Sequence, residues 1–310
     1  MLDYILAALQ GIVQGLTEFL PVSSSGHLNI FQHFTGISGE GNLFFNVMLH
    51  LGTLVAVCAF YYKLIFRLIK ALGSMVKKLF TGKLNFKNLT DDENLLLMLV
   101  VGLLPLLLLF VPIGNDMKVK DLADILTGDK SYFIVTGISL LLTSALLFAG
   151  SKITRRNEKQ TASGKTKLRS RYNVLDALTV GITQCVAAIL PGLSRSGSTL
   201  AAGQARGIKK QDAMDYTFVL AIPSIVAAAA LEFLDAIKAP EGLAVDFGPV
   251  IVGVIFSAVV GYFSIALFKW LLKTDRTYIF VIYTALAGLA VIGVSIYEMV
   301  TSSTVCFTFT

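Results

Sequence analysis

Uncharged apolar runs about as long as a bilayer is thick constrain this 310-residue chain more than any other feature: residues 95–113, 132–150, 249–268 and 277–297 contain no Asp, Glu, Lys or Arg. About 20 such residues cross roughly 30 Å of hydrocarbon as a helix, and within lipid a backbone must satisfy its own hydrogen bonds, as a helix does. Several helical spans are therefore expected. Composition agrees, with 55% hydrophobic and 15% charged residues and a mean hydropathy of +0.73, whereas soluble domains carry about 25% charge. A water-soluble fold is set aside.

The net charge of +6 does not indicate a nucleic-acid partner, because 21 of the 26 Lys and Arg residues fall in four segments, 63–87, 152–171, 206–210 and 269–276. The positive-inside rule makes these segments cytoplasmic. Between them, 116–130 and 232–246 are richer in acids than bases and should face outward. The first twenty residues lack the basic start and small-residue cleavage site of a secretory signal, so Met1 onward reads as mature protein. Cys58, Cys185 and Cys306 have neither metal nor redox spacing and receive no role.

Threading spans through these loops gives 45–62 inward, 95–113 outward and 132–150 inward, then 214–231 outward, 249–268 inward and 277–297 outward. Residues 1–44 and 172–204 must then each begin and end on one side, as re-entrant helical hairpins. The expected fold is all-α and integral to the membrane, an inverted-topology repeat in which each half is one re-entrant hairpin plus three transmembrane helices. The first repeat is 1–150, the basic cytoplasmic linker 151–171, the second repeat 172–300 and the outside tail 301–310. Direct comparison supports the repeat, since Gly11-Ile12-x-Gln14 and Leu20-Pro21 recur 170 residues later as Gly181-Ile182-x-Gln184 and Leu190-Pro191. With one residue of slip, Gly26 then falls over Gly197, Phe45 over Tyr216 and Leu49 over Leu220. Irregular backbone at membrane depth is tolerated where it is buried or lines a wet cavity, so the two turns should meet.

The first turn reads Gln14-Gly-Leu-Thr-Glu18-Phe-Leu-Pro-Val-Ser23-Ser24-Ser25-Gly26-His27. Gln14 and Glu18 share a helix face, and a carboxylate inside an apolar membrane segment is costly enough to signal function. The second turn, Leu190-Pro-Gly-Leu-Ser194-Arg195-Ser196-Gly197-Ser198-Thr199, carries the one charge between Asp176 and Arg206. An Arg flanked by Ser and Gly makes an anion cradle, its guanidinium forking onto phosphate oxygens while small residues let the backbone approach. A plain ion pair between Arg195 and Glu18 is the structural alternative, and it could equally be the resting state of a phosphate site. His33 and His50 lie on apolar stretches and read as packing residues.

These motifs, with Met48-Leu-His-Leu-Gly-Thr-Leu, Pro105 and Tyr216-Thr-Phe-Val-Leu-Ala-Ile-Pro223, resemble the undecaprenyl-diphosphate phosphatase family, also called bacitracin-resistance proteins, over nearly the whole chain. The resemblance implies hydrolysis of undecaprenyl diphosphate to the monophosphate, recycling the carrier lipid for cell-wall synthesis. It also implies an active site opening toward the outer face of the bacterial plasma membrane, while the inverted repeat and the charge asymmetry place both termini of this multi-pass protein outside. Carried over by position, Glu18 is the general base, Ser24 the nucleophile, Arg195 the diphosphate clamp and His27 a second proton donor or phosphate ligand. A His27 or water nucleophile stays open. Gln14, Ser23, Ser25, Gly26, Ser194, Ser196, Gly197 and Thr199 are the expected substrate contacts. Family members carry Glu or Gln at the position of Gln14. A divalent cation, magnesium or calcium, is expected with unknown ligands, and the partners are the polyprenyl diphosphate lipid, membrane lipids and, as an open option, a second copy in a homodimer.

Ser25-Gly26-His27 also matches the turn of type 2 phosphatidic acid phosphatases, but their Ser-Arg-x5-His element would need a His at Ala201. The remaining competitor is a polyprenyl-phosphate flippase or transporter, since inverted repeats with re-entrant tips are transporter architecture. Ser24 and Glu18 beside Arg195 favour the enzyme, because binding alone requires no nucleophile.

Overall fold

A computed structural model describes residues 1–36, 41–114, 117–128, 133–165, 167–238, 246–301 and 305. Parts of both acidic loops, most of the tail and Cys306 lie outside these residues. Twelve α-helices are described: α1 (Leu2–Phe19), α2 (Ser24–Thr35), α3 (Gly41–Phe60), α4 (Tyr62–Phe80), α5 (Asp91–Leu103), α6 (Asp121–Gly128), α7 (Phe133–Ala162), α8 (Val174–Ile189), α9 (Arg195–Ala205), α10 (Lys210–Lys238), α11 (Phe247–Lys273) and α12 (Tyr278–Thr301). The chain is an all-α, multi-pass membrane protein. Five segments are long and apolar enough to cross a bilayer, and α3 with α4, bent by 82°, brings the number up to six. The six expected spans fall on α3, on α5 with the 3-10 turn after it, and on α7, α10, α11 and α12.

Three stretches differ from expectation. The second span is not one helix: α5 opens on a Thr90–Glu93 capping box and gives way to a 3-10 segment, Leu104–Phe110, because Pro105 lacks the N–H that would continue the ladder. The basic segment 63–87 is largely helix rather than loop. Along α4, Tyr62, Phe66, Ile69 and Val76 form an exposed apolar stripe, Lys63, Arg67, Lys70 and Lys77 an exposed basic one, and Leu68 and Ala71 face the protein. That helical periodicity was present in the sequence, hidden by the charge count. Finally, the linker is not wholly a solvated coil, since α7 runs on through Ala162 on good helix formers and ends before Gly164, at φ 72°.

Small residues set how the helices meet. Gly11 and Gly15 of α1 lie against the Gly253 and Ser257 backbone of α11, while Gly181 of α8 lies against Gly102 of α5. Gly137 of α7 and Gly288 of α12 abut each other. Each hairpin thus packs on a span from the other half of the chain, and close backbone approach through glycine is how helices associate without a water-driven force between them. Below the tips, Phe19 meets Phe218 edge-on at 5.3 Å between ring centroids, and Tyr61 and Phe268 extend the cluster.

Ion pairs gather the basic segments at one end. Arg169 and Arg206 both bind the buried Asp176 at the start of α8, and Lys210 ties Glu158 of α7 to Asp275 of the α11–α12 turn. Arg67 and Arg171 face Asp92 and Asp91 at the start of α5. The opposite end is held by His33, which is buried as expected of a packing residue, stacked on Phe133 at 3.9 Å and paired with Glu298 at 2.9 Å.

Candidate active site

The two turns touch. A side chain on Gly26 would collide with Gly192, and one on Gly197 would crowd Pro21 at 3.2 Å, so both positions need the smallest residue for the tips to approach. Each descending helix is capped in the same way. The Ser23 hydroxyl accepts from the Gly26 amide at 3.2 Å and the Ser194 hydroxyl from the Gly197 amide at 3.1 Å. Ser24 and Arg195 therefore occupy the same place, the first residue of α2 and of α9. The first amides of a helix have no intrahelical acceptor, and its N-terminus carries partial positive charge. Two such termini converge here.

Between them lies a cavity of about 250 Å³ lined on its polar side by Glu18, Ser23, Ser24, Ser25, His50, Ser194, Arg195 and Ser196. Ala187, Ala188, Leu193, Ile225, Ala228 and Ala229 make the rest largely apolar. Glu18 is at the centre. Its side chain is 3% exposed, it is ion-paired with Arg195 across 177 residues of chain, and its Oε2 accepts from Ser24 Oγ at 2.6 Å. Gln14 donates to the same oxygen at 2.9 Å from one helical turn away. Every bond favours an ionised carboxylate, so Glu18 is placed to receive the Ser24 proton.

Around this centre, Ser23 and Ser25 share a hydroxyl contact at 3.3 Å and Ser194 and Ser196 another at 3.3 Å. Ser196 also leans on the Leu20 carbonyl. Thr199 is turned away, its hydroxyl donating to the Arg195 carbonyl at 2.8 Å. His27 is also outside the cavity: its Nδ1 is 2.7 Å from the Ser23 carbonyl, its Nε2 2.6 Å from the Tyr283 hydroxyl, and the two rings stack. Three residues along a helix turn the direction by only about 60° from that of Ser24, so it is the Ser23 carbonyl and the Tyr283 ring that hold the imidazole away from the cavity.

His50 corrects the sequence reading. It is not a simple packing residue: it lines the cavity with Nε2 3.6 Å from Glu18 Oε2. The signal that could have found it was an ionisable side chain inside an apolar span, the same signal that singled out Glu18. As for a cation, no group of three or more His, Cys, Asp or Glu residues suited to a metal occurs among the described residues. The cavity offers one carboxylate, already held by Arg195, and that donor set does not fit a metal resident on the protein.

Known proteins resemble this chain over nearly its whole length. The family described as bacitracin resistance protein BacA matches residues 7–290. An undecaprenyl-diphosphatase of Alkaliphilus metalliredigens is 36% identical over 288 residues, covering 92% of this chain and 96% of that protein. One from Alcanivorax borkumensis is 32% identical over 291 residues, covering 94% and 98%, and one from Treponema denticola is 33% identical over 301 residues, covering 94% and 96%. With a match that spans both turns and the spans between them, the chain belongs to the bacitracin resistance protein BacA family.

Proposed function

We propose that this protein is an undecaprenyl-diphosphatase, hydrolysing undecaprenyl diphosphate to undecaprenyl phosphate and inorganic phosphate and so returning the carrier lipid to cell-wall synthesis. The observation that carries this reading is the Ser24–Glu18–Arg195 constellation at two converging helix N-termini, in a cavity lined by both polar and apolar side chains. The diphosphate fits among the polar groups, where Arg195 and the first amides of α2 and α9 offer donors to its oxygens. The first isoprene units fit against Ala187, Ala188 and Ile225. Entry of the diphosphate draws Arg195 from Glu18 onto phosphate, leaving Glu18 to take the Ser24 proton as Ser24 Oγ attacks the terminal phosphorus. The lipid phosphate leaves, and a phosphoserine remains for water to clear. A divalent cation belongs to the proposal as a companion that arrives on the diphosphate, because the cavity has no free carboxylates to hold one beforehand.

Purified protein should release phosphate from a long polyprenyl diphosphate, and a chelator should slow the release by removing the substrate's cation. No release in the presence of divalent cation and without chelator would sink the reading. A flippase would instead move labelled lipid between leaflets without forming phosphate.

In the proposed orientation the basic end of the molecule is cytoplasmic, both termini and the cavity mouth lie outside, and the membrane is the bacterial plasma membrane; the clustering of four basic segments at one end supports it. With Ser163→Cys and Asp246→Cys, an impermeant thiol reagent on whole cells should label position 246 and spare 163. The reverse pattern overturns the orientation.

A further inference from the structure

We propose that His50 is the base that deprotonates the water which clears phosphate from Ser24. This rests on the phosphatase reading above and adds a residue and a step to it. The need for such a base follows from Glu18: once it has taken the Ser24 proton it is a neutral acid, and it must return that proton to the departing serine oxygen. It cannot also activate water. Of the residues lining the cavity, only Glu18, His50 and Arg195 are titratable, and arginine keeps its proton. His50 is the one remaining titratable side chain that can take up a proton near neutral pH.

Its geometry suits that task. Nδ1 lies 2.7 Å from the Asn46 carbonyl one helical turn earlier. A carbonyl only accepts, so Nδ1 carries the hydrogen, and in the neutral ring the basic nitrogen is Nε2. That nitrogen faces the reaction centre, 3.6 Å from the same Glu18 oxygen that bonds Ser24. The ring is 30% exposed where Glu18 is 3% exposed, so the imidazole is the more accessible of the two from the cavity. Glu18 from α1 and Arg195 from α9 are the charged groups facing this region among the described residues. Ser24 comes from α2, α10 contributes Ile225, Ala228 and Ala229, and α11 meets α3 through Gly253 and Ser257. His27 and His33 are committed to Tyr283 and Glu298.

The step balances without an added reactant. A water oxygen forms a bond to the phosphoserine phosphorus while its proton passes to His50 Nε2. The bond from phosphorus to Ser24 Oγ breaks, and Oγ takes the proton that Glu18 has held since the first step. Phosphate departs and the His50 proton is lost to solvent, which restores the starting state.

The test is acid-quench trapping with polyprenyl diphosphate labelled in its terminal phosphate. In His50→Gln, Ser24 should be phosphorylated at near the wild-type rate, and the labelled protein should then decay at least about 100-fold more slowly, the usual contribution of a general base. The pH profile of decay should show an acidic limb in the wild type that the variant lacks. In His50→Ala, added imidazole should restore decay, which tests the role even if the glutamine variant folds poorly. Ser24→Ala combined with His50→Gln should trap no label. Absence of trapped protein in His50→Gln, decay within about threefold of wild type, or equal slowing of formation and decay would each overturn the proposal. A wild-type protein that releases no phosphate would instead overturn the phosphatase reading, so the two failures are distinct.

Discussion

The two hairpins have nearly the same backbone and opposite chemistry. Each rises on a helix packed through glycine against a span of the other half, turns after a Leu-Pro pair and descends on a serine-capped helix. The second turn is one residue longer, because Pro21 and Pro191 are 170 residues apart while the caps Ser23 and Ser194 are 171 apart. That residue changes where strain resides. In the second hairpin the left-handed backbone falls on Gly192, at φ 91°, but in the first it falls on Ser23, at φ 75°. A non-glycine residue in such a conformation costs about 1–3 kcal/mol and persists where its surroundings hold it, typically at working sites. The bases differ as well. The second hairpin is closed by Asp176 bonded to Arg169 and Arg206, whereas the equivalent position of the first is Leu6. In the proposed mechanism the first hairpin is the reactive arm, with base and nucleophile on either side of a strained turn, and the second is an anchored arm that would hold the anion.

The largest effect should come from the reactive arm. Ser24→Ala and Glu18→Gln should each lower phosphate release at least about 1000-fold while lipid binding persists. The double variant should be scarcely worse than either, since groups acting as one unit are non-additive. Multiplying losses in the double variant would mean that the two act in separate steps.

Next is the anchored arm's contact with substrate. Arg195→Lys keeps the charge but loses the two-pronged fork, so activity should fall about 100-fold with unchanged melting. Near-normal turnover would place the diphosphate elsewhere and leave Arg195 as a partner for Glu18 alone.

The smallest effect on chemistry should come from the anchor itself. Asp176→Ala removes the buried carboxylate shared by the partly exposed Arg169 and Arg206 and should cost about 1–3 kcal/mol of stability, seen as a lower melting temperature. Turnover per folded molecule should stay within a few-fold of wild type. Equal loss in turnover and stability would show that the anchored base also sets the geometry of the cavity, and the division between the arms would fail.

The apolar runs alone determined that this chain crosses a membrane as helices, because about 20 uncharged residues admit few other solutions in hydrocarbon. The motifs likewise marked Glu18 and Arg195, since a charge in lipid is costly enough to stand out in one dimension, while Ser24 was marked by the family resemblance. Direction was not determined. Whether a side chain on a short capped helix faces the cavity or the next span depends on packing between helices far apart in sequence, which is why His27, conspicuous in its motif, ends on Tyr283 while His50, read as a packing residue of α3, ends beside Glu18. The Asp176 clamp was hidden for the same reason, because its arginines lie 7 and 30 residues away in a linker and beyond α9. Spans follow from local hydrophobicity, which is read along the chain, whereas the site follows from which helix faces meet, which close glycine packing between the two halves decides.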